Sequence, residues 1–416
     1  MITATNDSRI AYLIEATILL LMAMGTVFVF SAGANVSTNY AIRHFYQFTT
    51  LKQLFFFPAA VVVLYSVSRI DYRRLSFTYR GPRLSLAPYI LGLATILLAF
   101  VLLFGVEKYE ARRWLAIPIG PASVSFQPSE LAKWAMVIFL AAFLDYFADT
   151  IHLFWKRFVP VCLIAGVIVA LIVSQDFGTA AFIALLTFIM LLLGGARWWH
   201  FFVPAFAAGP VFWAAVMTSA TRINRIKAFF SPELASASSM YQARQSLIAI
   251  AGGRMWGRGL GMGVSKYGHL PEDTTDFIFA VIAEELGFAG AVFVIFLFAV
   301  LVLLGLIVAM RCRDRFGKLL AAGIILAIGI QAAINIGVVT VVLPTKGIPL
   351  PFISAGGTSM LLCAAAGGVL ANIARQTPAQ QMVARLETIR HMTHAAKDEN
   401  DLPTLQRTPT MLLGRL

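Results

Sequence analysis

Ten apolar runs of membrane-spanning length punctuate this chain, and they admit one broad class of fold. They cover Ile10–Ala32, Gln53–Ser68, Leu86–Val106, Pro128–Leu144, Val159–Val173, Phe177–Leu193, Phe201–Thr218, Phe277–Met310, Leu319–Leu343 and Leu350–Ile373. Val159–Leu193 could be taken for one long span, but Asp176-Phe177-Gly178 interrupts it and predicts a tight helical hairpin. Composition agrees: 59% of residues are hydrophobic and 13% charged, against ~45–50% and ~25% in soluble domains. The expectation is an all-α polytopic integral membrane protein of about ten transmembrane helices. A large extracytoplasmic loop, residues 221–275, separates helices seven and eight. Residues 1–375 form the transmembrane domain, and 376–416 a polar cytoplasmic tail in which Pro378–Lys397 could form a surface helix.

Lysine and arginine set the orientation. Arg69, Arg73, Arg74, Arg80 and Arg83, then Lys156, Arg157 and Arg197, then Arg311, Arg313, Arg315 and Lys318 fall in alternate loops. The positive-inside rule puts those loops and both termini in the cytoplasm. The net charge of +13 belongs to such loops and tails, so it gives no support to nucleic-acid binding. The N-terminus lacks a basic region followed by a small-residue cleavage site, so the first run is expected to be a retained helix. Cys162, Cys312 and Cys363 have neither metal nor redox spacing, and three free thiols are expected.

The outer side keeps positive charge as well. Residues 221–275 carry Arg222, Arg225, Lys227, Arg244, Arg254, Arg258 and Lys266, and shorter outer loops add Lys108, Arg112, Arg113 and Lys346. Cations retained there point to an anionic partner such as a lipid phosphate or pyrophosphate. Ordinary anionic headgroups are the simpler alternative.

Four stretches stand out. In Glu272-Asp273-Thr274-Thr275-Asp276-Phe277-Ile278, a carboxylate sits where a polar loop meets an apolar helix. Such a residue marks a functional site, or else Thr275 or Asp276 caps the helix. Farther along, Asp276, Ala280, Ala283, Gly287 and Gly290 share one helix face, suited to close packing or to a groove for a lipid chain. Glu130 and Lys133 stand three residues apart just after Pro128, on one helix face, as a structural ion pair or as a pair facing an outer cavity. Leu343–Ser359 is stiffened by Pro344, Pro349 and Pro351 and carries Lys346 and Gly356-Gly357; it is a rigid re-entrant turn, an anion site, or both. The glycine run Gly252–Gly263 matches neither a dinucleotide fingerprint nor a P-loop, and reads as backbone turning tightly beside the membrane. No histidine has zinc spacing, and no nucleophile elbow is present.

Taken together, Arg112-Arg113-Trp114-Leu115, Phe126–Lys133, Asp176–Ala180, Gln245–Ile250, Thr275–Ala280 with Glu284–Gly287, and the Lys346–Thr358 turn resemble, in family order, the SEDS family of bacterial membrane proteins (shape, elongation, division and sporulation). Pro344-Thr345-Lys346-Gly347 resembles the FtsW-like division branch more than the RodA-like elongation branch. The resemblance implies a peptidoglycan glycosyltransferase that polymerises lipid II at the outer face of the bacterial cytoplasmic membrane, at the septum. It implies Asp276 as catalytic residue. As substrate-binding positions it implies Arg112, Arg113, Glu130, Lys133, Gln245, Lys346, Ser354, Gly356 and Gly357. Undecaprenyl pyrophosphate would be the leaving group, with a divalent cation, Mg or Mn, as an optional helper. A class B penicillin-binding protein of the FtsI-like transpeptidase type and other divisome membrane proteins would be partners. Departures are Asp273-Thr274 in place of Ala-His, Ala355 in place of Tyr and Gln175 in place of Pro; Asp273 is expected to raise the pKa of Asp276 as a neighbouring like charge. Alternatives of other kinds are a lipid II flippase, which should show inverted repeats with midplane charges, and a non-catalytic division scaffold.

Overall fold

The protein, seen in a computed structural model, is described here over residues 2–33, 49–108, 111–119, 122–231, 237–265 and 270–377. Lys266 and the tail helix expected over 378–397 lie outside the described residues. Among the described residues, twelve α-helices of eleven residues or more organise the chain: α1 Ile2–Gly33, α2 Thr49–Val67, α3 Ala87–Phe104 and α4 Pro128–Tyr146, then α5 Val159–Val173, α6 Phe177–Leu193, α7 Phe202–Met217 and α8 Ala220–Phe230, then α9 Ala237–Gly253, α10 Ile278–Arg311, α11 Arg315–Val339 and α12 Gly357–Thr377. Seven of the described helices are long and apolar enough to cross a membrane, fewer than the ten expected. Two more, Lys52–Val67 and Phe177–Leu193, are apolar but shorter, and α4 carries Glu130, Lys133 and Asp145 within its 19 residues.

Two expectations need correction. The segment between α3 and α4, expected as a short outer loop, contains strands: β1 Val106–Lys108, β2 Ala111–Ile119 and β3 Ala122–Phe126 form an antiparallel sheet in the order β1-β2-β3. Alternation through Trp114, Ala116 and Pro118 is too short to register beside two membrane-length runs. Nor is 221–275 a loop throughout, since it contains α8 and α9. In α8, Arg222, Arg225 and Lys227 alternate with Ile223, Ile226 and Phe229-Phe230 at helical spacing, the pattern of a helix lying in an interface.

The core is built on α4, α10 and α11. The fourth helix packs on α3, α6 and α11, while α10 packs on α1, α9 and α11. The hairpin at 174–176 forms as expected. The Asp176 carboxylate caps α6, accepting from Thr179 N at 3.1 Å and from its hydroxyl at 2.9 Å. By contrast, no residue of α7 is buried, so that helix presents apolar side chains around its whole circumference.

A break within α10 explains the glycine run. At Gly287 the backbone takes φ 69° and ψ −167°, a conformation that only glycine adopts readily. Helical hydrogen bonds lost there are replaced by the preceding loop. Arg258 N and Gly259 N donate to the carbonyls of Glu284 and Glu285, both at 3.0 Å, while Phe288 N donates to Arg254 O at 2.8 Å and Ala289 N to Met255 O at 3.2 Å. The fit leaves no room for side chains: a Cβ on Gly257 would stand 2.1 Å from Glu285 O. Side chains add to the joint. The carboxylate of Glu284 accepts from Val264 N at 2.9 Å and from the Ser265 hydroxyl, and that of Glu285 accepts from Ser31 Oγ at 2.8 Å. Non-helical backbone near a membrane must be satisfied by protein, and here it is.

Candidate active site

Asp276 stands at the last residue but one before α10, so it is not part of the helical stripe proposed for it. Phe277 occupies the cap position without any side-chain cap bond. Thr275 Oγ1 turns instead to the Glu272 carboxylate at 2.8 Å. The helix-cap alternative therefore fails for both Thr275 and Asp276, and the Asp276 carboxylate is left for other chemistry.

Two segments, the prolyl turn and α11, hold Asp276 and the two residues before it by the main chain. Ser354 Oγ donates to Thr275 O at 2.6 Å and accepts from Leu350 N at 2.8 Å, while Ala355 N donates to Thr274 O at 2.9 Å. Asn335 Nδ2, on α11, donates to Asp276 O and to Ile348 O, each at 2.8 Å. The prolyl turn also closes over the carboxylate itself. A Cβ on Gly347 would lie 2.7 Å from Asp276 Oδ2, so any side chain there would push the carboxylate aside.

The charges around Asp276 are mixed, and the acid-raising side wins. Crowding by protein, and then the carboxylates of Glu272 and Asp176, push its carboxyl up to about 7, against the pull of Arg113 and Arg225. The expected contribution of Asp273 is not among these causes; Asp273 is itself raised to about 6, chiefly by burial. A carboxyl poised near neutrality is far better matched to proton abstraction than one near 4.

Cations gather beside the carboxylates. Arg113 Nε donates to Gln175 O at 2.6 Å, and its guanidinium lies 3.9 Å from Asp176 Oδ2. Arg112 pairs with Glu107 at 3.7 Å and donates its backbone N–H to Gln175 Oε1 at 2.8 Å. Gln175, a departure from the family's proline, thus supplies a side-chain acceptor that proline could not. Lys346 Nζ stands 5.0 Å over the Phe177 ring, with Arg222 Cζ 5.3 Å from the same ring. Burial lowers the Lys346 pKa, opposed by Asp176. Arg225 of α8 joins this group through its interaction with Asp276, Asp176 and Arg113.

Glu130 and Lys133 are buried, Lys133 to 1% exposure. Lys133 Nζ donates to Glu130 Oε2 at 2.8 Å and to Gln331 Oε1 at 2.7 Å, and Ser359 Oγ donates to the same Glu130 oxygen at 2.9 Å. Gln331 Nε2 passes the link to Pro349 O at 2.8 Å. The pair thus sits under the prolyl turn instead of facing an open cavity. Gly357 packs against the Phe56 ring, where a Cβ would come within 2.5 Å, and Gly356 O accepts from Met360 N in the first turn of α12. Gln245 is partly exposed on α9, next to Ser246, whose hydroxyl ties α9 to Val339 O at 2.6 Å. No hydrogen bond among the described residues brings Gln245 to the Asp276 group.

Sequence reasoning passed over Gln331, Asn335, Ser359, Gly347 and the charge of Asp176. The legible signal was Gln331 and Asn335 themselves, two amides at i, i+4 spacing in an apolar helix, where a polar side chain needs a partner. Among the described residues no three His, Cys, Asp or Glu side chains converge to hold a metal ion. Glu272 and Asp176 act on Asp276 as like charges, and Arg113 and Arg225 oppose them.

Comparisons with known proteins place the chain in a family. Residues 11–379 match the family described as cell cycle protein, the FtsW, RodA and SpoVE group. Stage V sporulation protein E of Bacillus subtilis is 36% identical over 360 residues, covering 86% of this chain and 94% of that protein. A probable peptidoglycan glycosyltransferase FtsW of Halomonas elongata is 38% identical over 370 residues, covering 88% and 90%. Among solved structures, a chain from a peptidoglycan synthase complex aligns with TM-score 0.66 at 25% identity, over 88% of this chain and 97% of that one. The crystal structure of the rod shape determining protein RodA of Thermus thermophilus aligns with TM-score 0.60 at 25% identity, over 88% and 96%.

Proposed function

The chain belongs to the FtsW, RodA and SpoVE family of cell cycle proteins, and from that premise we propose that it is a peptidoglycan glycosyltransferase of the division type, with Asp276 as general base. It is a multi-pass membrane protein. Its substrate is lipid II, taken from the outer leaflet. The carboxylate of Asp276 removes the proton from the acceptor sugar hydroxyl as that oxygen attacks the anomeric carbon of the donor. The bond from that carbon to undecaprenyl pyrophosphate breaks in the same displacement. An axial diphosphate and an equatorial product linkage require inversion, so no covalent enzyme intermediate forms. Arg112, Arg113 and Lys346 take up the diphosphate charge as it develops. One observation carries the reading: a carboxylate that caps no helix, beside Arg113, with its pKa raised to about 7.

The chain works with a single-span class B penicillin-binding transpeptidase seated at the outer ends of α10 and α11; its similarity to a chain from a peptidoglycan synthase complex that coordinates polymerization with crosslinking supports this reading. Both termini and the tail 376–416 are cytoplasmic, and the enzyme acts at the septum. Orientation is checked with single cysteines in a background lacking Cys162, Cys312 and Cys363. Ser238→Cys should label from outside and Arg313→Cys only after permeabilisation, and equal labelling from outside would reverse the topology. Arg313 is chosen because Asp314 caps α11 and accepts from the Tyr72 hydroxyl at 3.1 Å.

The activity is tested by polymerisation of labelled lipid II with the purified protein and its transpeptidase, across pH. Asp276 works only when ionised, and its carboxyl is raised, so the rate should climb as pH rises through about 7 and then level. Failure to form polymer at any pH with the partner present would overturn the proposal.

A further inference from the structure

The amides of α11 have a polarity that their partners dictate. Asn335 presents one group to two main-chain carbonyls, Asp276 O and Ile348 O. Carbonyl oxygens only accept, so that group must be the NH2, and each of its protons is spent on one carbonyl. Gln331 is fixed at both ends. Its oxygen faces the Lys133 ammonium, which only donates, and its NH2 faces Pro349 O, which only accepts. Both side chains are buried, with Asn335 at 1% exposure. They lie one helical turn apart, on one face of α11.

We propose that Gln331 and Asn335 are positioning residues: a two-amide clamp on α11 that sets the place of Asp276 relative to the prolyl turn. The proposal rests on the reading of Asp276 as the base. Asn335 binds the peptide that carries Asp276 and the peptide of Ile348 with one NH2 group, so it fixes the separation of the two segments facing each other across the site. Gly347 precedes Ile348 and lies against Asp276 Oδ2; the carboxylate and the residue closing over it are thus referenced to one amide. Gln331 repeats the arrangement four residues earlier, where it carries the Glu130–Lys133 pair to the carbonyl of Pro349. In this scheme the ion pair acts on catalysis through α11 and the turn, without touching the sugar.

The test uses the full-length protein with its transpeptidase. Asn335→Leu keeps the size and removes both donated bonds. A displacement of the base by about 1 Å is expected to lower kcat by ~10²-fold, with KM little changed, because the outer cations that hold the substrate are untouched. Gln331→Glu keeps an acceptor for Lys133 and loses only the bond to Pro349 O, so its kcat should fall less than that of Asn335→Leu. The pH midpoint should move as well, since Glu272, Asp176, Arg113 and Arg225 act on Asp276 from fixed positions and a displaced carboxylate meets a different balance of them. A purely structural residue would lower the amount of folded enzyme and leave that midpoint alone.

A second readout needs no activity. With Asp276→Cys in the background without native cysteines, the rate of bimane alkylation at that thiol should rise when Asn335→Leu is added. If the wild type forms no polymer but alkylation accelerates, the glycosyltransferase reading falls and the clamp stands. If the wild type polymerises, and Asn335→Leu leaves kcat, the pH midpoint and the alkylation rate unchanged, the clamp is wrong and the reading stands.

Discussion

Asp276→Asn should give a protein that folds, inserts and binds its transpeptidase, yet loses lipid II polymerisation by at least the ~10²–10⁴-fold range of general-base removal. The substitution keeps the side-chain shape and removes only the ionisable group. Because Phe277 and not Asp276 occupies the cap position, no loss of helix capping confuses the result. Stability should move in the opposite direction. The folded carboxyl titrates near 7, above its unfolded value, so the folded state binds a proton that the unfolded state has already released. Stability contributed by this group is present below the unfolded pKa, falls as pH rises through about 7, and is absent above it. Asparagine never ionises, so at pH 8 the variant should melt no lower than the wild type, and higher if the burial of charge dominates. Near-wild-type polymerisation by Asp276→Asn would remove Asp276 from the chemistry altogether.

Lys133→Ala and Glu130→Ala should each abolish polymerisation and lower stability. Both charges are buried, and each is the other's partner at 2.8 Å. Removing Lys133 leaves Glu130 with only the Ser359 hydroxyl, and also withdraws the donor from Gln331 Oε1. Removing Glu130 leaves a buried ammonium facing one amide oxygen. Breaking a buried pair in this way costs ~3–5 kcal/mol. The double variant strands neither charge, so its melting temperature should recover beyond either single variant. Its activity should not recover, because Gln331 still lacks a partner to hold it against the prolyl turn. Full activity in the double variant would make the pair a matter of stability alone.

Much of this was readable from residue types. Asp176 marked the hairpin because a carboxylate followed by Phe-Gly-Thr between two apolar runs can cap the second of them, and it does. The glycine run was read as backbone turning closely beside the membrane, and its φ angles and contacts with α10 give the reason. The break at Gly287 was not readable. It depends on a loop some thirty residues earlier supplying four backbone hydrogen bonds, and backbone partners leave no pattern in side chains. For the same reason Asn335 was visible as a polar residue in an apolar helix but not as a holder of Asp276, since both its partners are main-chain carbonyls. Whether Asp276 caps α10 turned on one residue of helix phase, finer than sequence periodicity resolves. The amphipathic α8 was hidden by its shortness: eleven residues, read together with the turns on either side.

The break at Gly287 has a bearing on how the enzyme meets membranes of different thickness. At about 1.5 Å per residue, the stretch from Phe288 to Arg311 is by itself long enough to cross a hydrocarbon layer of ~30 Å. The stretch from Ile278 to Glu285 is buried in protein at every residue and offers the lipid no surface. A thicker or thinner bilayer is met by tilting of the lower stretch. The joint above it is braced by four backbone hydrogen bonds and by the Glu284 and Glu285 carboxylates, so Asp276 is referenced to protein contacts and not to the lipid around the span beneath it.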